Sequence, residues 1–340
     1  MGALKEIPSY IEHHRLALKL KPILVGELYL ARKLKFPVFI FRNGIFYPVI
    51  SEGTFPTKDI ITTLIRNSYR EVYLYPEDIS EIKANLENAL IKITRSLSVG
   101  DPLENGTKDL KLLSLNLAGV YQNPHNDDLL MLQFQSSQNL SKFLIENKKF
   151  LPYYYHSLTK ENFHFTLSQP MLSSLMLLSF LNTIHAFHEK ELENLFMASY
   201  LKDIGMSLIP DEKYDQKVLN ERDKQLFSNH ADYSFDLLEG RIPLSKNYLT
   251  IIKHHHFLND KLLLLLGKEQ KKLQDKDTVL GIESTLVAVF DIVVAMTSPR
   301  PYRKSQSLYQ ALEIIKRMMA DDYPQEFRAL VVFLKQFFKI

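Results

Sequence analysis

Cysteine is absent from the 340 residues, which excludes a disulfide framework and any thiolate metal site and suits a reducing compartment. No apolar run is long enough to cross a bilayer. The greasiest, M-L-S-S-L-M-L-L-S-F-L from Met171 and L-V-A-V-F-D-I-V-V-A-M from Leu286, read instead as buried helices. The opening M-G-A-L-K-E-I-P-S-Y-I-E-H-H-R has no apolar core of the signal-peptide kind, so a cytoplasmic location is expected. Internal repeats and low-complexity tracts are also missing. Charge of one sign is scarce: 42 basic against 39 acidic residues leave +3, too little to argue for nucleic acid. A phosphate-bearing small ligand needs only a local group of arginines and stays open.

What is present is an ordinary globular balance, 46% apolar and 24% charged, in a chain long enough for two domains. Residues 38–50, V-F-I-F-R-N-G-I-F-Y-P-V-I, are two β-rich runs around Asn43-Gly44, a strong hairpin signal. T-K-D-I-I-T-T-L-I-R-N-S-Y follows with helical spacing and Thr57 as N-cap, then E-V-Y-L-Y-P-E-D as a strand stopped by Pro76. From about residue 77 the pattern is helical to the end, with turn-rich breaks at 101–108 and 122–128. The expected organisation is a small α+β module over 1–80, a helical connector over 81–150 and a helical domain over 151–340. The fold class is mainly α.

Four places in the C-terminal half set polar groups in apolar surroundings: Lys202-Asp203, His230, the run His254-His255-His256, and Asp291. A carboxylate within a helix apolar on every side is unfavourable unless it is paired, hydrogen-bonded or bound to a metal. A salt bridge from Asp291 to Lys202 satisfies that need. Neutral imidazoles and carboxylates are equally the usual ligands of iron, manganese or zinc. No local motif such as H-E-x-x-H decides between them, and spacing leaves a metal site and a satisfied core network level.

The order Asp203-Ile204-Gly205, Ile209-Pro210-Asp211, His230, His254-His255, Asp291 and then T-S-P-R-P-Y-R-K over Thr297 to Lys304 resembles the HD-GYP domain. That family comprises helical bacterial phosphodiesterases that hydrolyse cyclic di-GMP at a cluster of two or three metals. The resemblance covers roughly residues 160–320 and extends, more weakly, to a sensor-like N-terminal module. It implies an all-helical HD-type bundle, with Asp203, His230, His254, His255 and Asp291 as metal ligands and Arg300 and Arg303 meeting phosphate.

The departures are as informative. The family's His-Asp pair is Lys202-Asp203, the lysine after it is Met206, and the G-Y-P tripeptide falls on Leu262-Leu263-Leu264. A first histidine, due near Leu167 to Pro170, is missing, and His164 is the nearest. By the resemblance one metal keeps Asp203, His230, His254 and His255, whereas the other keeps only Asp203 and Asp291. His256 stands where the family often has glutamate and blurs which two of the three histidines bind. The expectation is one transition metal (iron, manganese or zinc), with the Lys202 ammonium replacing the other ion and no confident catalytic residue. Three readings stay open: a degenerate signalling protein that binds cyclic di-GMP, a related phosphate-bearing nucleotide, a partner protein or a second copy; an active single-metal phosphodiesterase; and a metal-free interaction module. Leu262 to Leu266 is expected as helix core or a protein contact.

Overall fold

The computed structural model describes residues 10–161, 163–210, 213, 214, 216, 218, 220–258, 281–299 and 303–338. Residues 1–95 with 161–164 form one compact unit, and 96–160 with 165–340 form another. The pentaleucine run and Arg300 lie outside the described residues.

In the first unit, helix α1 (Tyr10–Lys19) precedes β1 (Lys21–Leu24), a 3₁₀ segment (Val25–Leu30), β2 (Val38–Arg42), β3 (Ile45–Ile50), α2 (Lys58–Arg66), β4 (Glu71–Leu74) and α3 (Pro76–Ser96). The strands form an antiparallel sheet in the order β1-β4-β2-β3. Asn43 (φ 51°) and Gly44 (φ 80°) both take the left-handed conformation that joins β2 to β3 with a tight twist. Thr57 caps α2, its Oγ1 accepting from the Ile60 amide at 3.3 Å. The β-rich runs in the sequence account for three strands; β1 is the fourth. Its K-P-I-L carries a proline, which a sheet accepts at its edge, and the edge is where β1 lies. Ile61 of α2 and Ile79 and Ile82 of α3 join Ile23, Val38, Ile40, Val72 and Leu74 in one core.

The second unit is helical. It contains α4 (Pro102–Gln122), α5 (Asp127–Glu146), α6 (Leu151–Thr159), α7 (Phe165–Ile184), α8 (Glu189–Leu201), α9 (Glu221–Ser228), α10 (His230–Leu238), α11 (Lys246–Lys253), α12 (Ile282–Thr297), α13 (Leu308–Met319) and α14 (Pro324–Phe337). The apolar run from Met171 lies within α7, which packs against α4, α6, α8, α12 and α14 and is buried along most of its length. The stretch expected as a connector is divided: α3 belongs to the first unit, while α4 and α5 pack within the second. The break expected over 101–108 is mostly helix. Asp101 caps the Leu103 amide at 3.0 Å and Pro102 opens α4. Gly106 gives the Tyr154 ring room to lie against α4; a Cβ there would meet the ring at 2.6 Å.

Polar groups inside this unit are mostly satisfied in chains. Asn116 donates to Gln133 Oε1 at 2.7 Å, and Gln133 bonds in turn to the Tyr200 hydroxyl. Asp109 of α4 differs. It is fully buried, and neither carboxylate oxygen has a hydrogen-bond partner among the described residues. Burial pushes its pKa well above the ordinary 3.8. Because the folded value exceeds the unfolded one, the carboxyl opposes folding increasingly as pH rises above the ordinary carboxylate range. Asp109→Asn, neutral at every pH, is therefore expected to gain thermal stability over the parent as pH rises from about 5 to about 8. A difference that stays flat across that range in melting experiments would contradict a lone buried carboxyl.

Candidate metal centre

Helix α8 opens with charged residues, turns apolar from Leu195 to Leu201 and then delivers Lys202 and Asp203 into the interior, followed by a 3₁₀ turn (Ile204–Leu208). Lys202 has no exposed surface. Its ammonium pairs with Asp203 Oδ2 and lies 2.8 Å from Asp291 Oδ1, brought in by α12. Burial disfavours the charged form, but the two carboxylates outweigh it and raise the lysine above its usual range. From α7, Gln169 donates its amide to the same Asp291 oxygen at 2.6 Å.

The other side of Asp203 faces imidazoles. Its Oδ1 is 3.2 Å from His230 Nε2, at the start of α10, and 3.3 Å from His255 Nε2, just past α11. The two Nε2 atoms are 3.2 Å apart, and His256 Nε2 is 3.1 Å from that of His230. His230 Nδ1 and His255 Nδ1 each lie 2.6 Å from a carbonyl oxygen, of Phe227 and Ile252. Those carbonyls place the ring protons on Nδ1 and leave Nε2 as the bare nitrogen. Burial raises the Asp203 carboxyl, yet the Lys202 ammonium beside it holds it well below the carboxylate range. Bare nitrogens and an ionised oxygen thus converge with no donor between His230, His255 and Asp203. Such a set fits a transition metal, with the backbone carbonyls orienting the ligands.

Close packing fixes the arrangement. A Cβ on Gly205 would lie 2.3 Å from the His230 carbonyl oxygen and 2.4 Å from the Ser234 nitrogen. Only glycine lets the 3₁₀ turn press onto α10, where the Gly205 amide donates to Ser234 Oγ at 2.8 Å. From α4, the half-buried Tyr121 donates its hydroxyl to the carbonyls of Asp203 at 3.0 Å and Thr166 at 3.3 Å.

Residues 171–326 match the model of the HD domain family. Over that stretch the chain is similar to the HD domain. No curated protein matches it in sequence. Among solved structures it is similar to Bd1817, an HDG"Y"P protein from Bdellovibrio bacteriovorus. The TM-score is 0.61 at 15% identity, over 93% of this chain and 99% of the other. That likeness is one of fold, and with the family match it supports the HD-GYP resemblance. The fold is accordingly an HD-type helical bundle with a small sheet module ahead of it.

Asp203, His230 and His255 lie together, and Asp291 joins Lys202 across from them. His254, the C-cap of α11, is not one of the three histidines whose ring nitrogens converge; that group is His230, His255 and His256. One residue of register past the helix end decides which rings turn inward. Gln169, in the stretch where the resemblance places the first histidine, donates to Asp291, and neither it nor Tyr121 carries a sequence signal that separates it from ordinary core. His164 precedes α7 in the stretch assigned to the first unit. Arg303 donates from Nη2 to the Ala295 carbonyl at 2.6 Å, near the end of α12.

Gly205→Ala is expected to lower stability in urea unfolding by roughly 1–3 kcal/mol, the range for forcing a side chain into a packed contact. An unchanged midpoint would mean that the turn and α10 separate freely.

Proposed function

We propose that this protein is a degenerate HD-GYP signalling protein that holds one transition metal and acts by binding rather than by turnover. The observation that carries the reading is the place of the Lys202 ammonium, between Asp203 and Asp291. Those carboxylates are what remains of a second ion's ligands in the family resemblance, and Lys202 with Gln169 satisfies them both. The positive charge of the second ion is thus supplied by the chain itself.

The candidate half-site is Asp203, His230 and His255, with the His256 ring nitrogen beside that of His230. A metal bound there would supply Lewis acidity. Two-metal hydrolysis of a phosphodiester also requires a partner ion to share the attacking hydroxide and to stabilise charge on the attacked phosphate. A lysine ammonium gives charge but no coordination position, so nothing on its side ligates a nucleophile. Met206, where the family resemblance expects a lysine, removes a further charge from the site. The ligand expected from the resemblance is cyclic di-GMP or a related phosphate-bearing nucleotide, held without cleavage. Arg300 and Arg303 are the candidate phosphate contacts, Arg303 through the donors it does not spend on Ala295.

Purified without chelators, the protein is expected to carry about one iron, manganese or zinc per chain by mass spectrometry. His230→Ala should lose it, and cyclic di-GMP hydrolysis should stay at background. Metal-dependent turnover abolished by Asp203→Ala would favour an active single-metal enzyme instead. Absence of metal from both proteins would favour a metal-free interaction module.

A second test restores what was replaced. Gln169 and Lys202 both contact Asp291 Oδ1, so Gln169→His with Lys202→His returns two imidazoles to that side. The double variant should bind about two metals per chain. A count that stays at one in a folded double variant would deny that Lys202 occupies a metal position.

A further inference from the structure

The turn after α8 carries Asp203 at its head and is gripped from outside at two of its carbonyls. Both of those carbonyls also close the turn on itself. Asp203 O accepts from the Met206 amide at 2.9 Å, and Met206 O accepts from the Ile209 amide at 2.9 Å. Each takes a second donor, and in both cases it is a tyrosine hydroxyl. Tyr121 of α4 donates to Asp203 O at 3.0 Å. Tyr214, buried and ahead of α9, donates to Met206 O.

The two tyrosines also reach the supports of the other inward-facing groups. Tyr121 shares its hydroxyl with Thr166 O at 3.3 Å. The helical partner of that carbonyl would come from Pro170, which has no amide to give. Thr166 stands one turn before Gln169, the donor to Asp291. The Tyr214 ring lies 6.1 Å, centre to centre, from that of Phe227, and the Phe227 carbonyl is the one 2.6 Å from His230 Nδ1.

We propose that Tyr121 and Tyr214 are positioning residues of the metal centre, whose hydroxyls fix the turn so that Asp203 aims one oxygen at His230 and His255 and the other at Lys202. This rests on the metal-binding reading above and adds the residues that set the strength of binding. Asp203 leaves helical backbone geometry (φ −101°, ψ 8°), and the direction of its carboxylate follows from that backbone. Hydrogen bonds within a 3₁₀ turn are poorer than those of an α-helix, so bonds from outside carry a larger share in holding this one. Neither hydroxyl touches a ligating atom; both act through the main chain of the turn.

The test removes each hydroxyl and keeps its ring, in Tyr121→Phe and Tyr214→Phe. The Asp203 and Met206 carbonyls retain their amide partners in these variants, so neither is orphaned. Zinc is titrated into the whole chain stripped of metal, against a competing chromophoric chelator. Each variant should bind zinc about tenfold more weakly than the parent, the low end of what an outer partner of a metal ligand contributes. Tyr154→Phe is the control, because its hydroxyl donates to the Pro102 carbonyl at 2.7 Å, on a segment that bears no ligand. It should lower the melting temperature of the metal-free protein and leave zinc affinity at the parent's value. Parental affinity in either tyrosine variant would remove that residue from the role. Parental affinity in both, or an equal loss in Tyr154→Phe, would overturn the positioning role and leave a metal-binding protein. A parent that takes up no zinc would overturn both readings. Should Tyr121→Phe not fold, Tyr214→Phe decides.

Discussion

A lysine ammonium with no exposed surface sits between two carboxylates, one just past α8 and one within α12, and the interior of the helical unit is arranged around it. Neither charge is affordable alone in such a place, since removing one partner of a buried ionic set typically costs roughly 3–5 kcal/mol. The end of α8, the middle of α12 and, through Gln169, the first turns of α7 are therefore held to one another by a single charge balance. Asp203 is the joint. One of its oxygens answers the lysine and the other faces the histidines, so the charge on one side conditions the donors on the other.

A buried ion pair is weak evidence of stabilisation in itself, because apolar residues of similar volume often do as well. It is better evidence of what the position has to accommodate. Asp291 would be expelled from an apolar helix by its own desolvation unless a cation met it. Under the reading proposed above, that cation was an ion in the ancestral arrangement and is a side chain here. A side chain brings charge without exchangeable coordination, and that separates a site that holds from a site that reacts.

Much of this was legible in the sequence, and the reasons differ by feature. The β2–β3 hairpin was readable because Asn43-Gly44 takes two left-handed conformations that few residue pairs tolerate. Asp291 and Lys202 stood out because charge inside an apolar pattern has to be answered, and their pairing was read from that alone. Strand β1 was missed because a four-residue edge strand containing proline has almost no pattern of its own. The inward turn of His255 and His256 rather than His254 and His255 was also hidden. It depends on the angle at which the chain leaves α11, which neighbouring packing sets and which three identical residues cannot reveal. Gln169 and Tyr121 were invisible for a related reason: their roles consist of a single hydrogen bond or two to groups far away in the chain.

The hydroxyl of Tyr121 has a consequence for where this domain begins. It comes from the last turn of α4, about 80 residues ahead of the backbone carbonyl it holds at Asp203, and α4 also packs against α5, α6 and α7. The portion of chain that carries the ligands is thus smaller than the portion that keeps them in place. A fragment trimmed to the ligand-bearing helices would retain every histidine and both aspartates. It would still lose the strut that fixes the turn after α8, so the inherited unit and the autonomous folding unit have different borders.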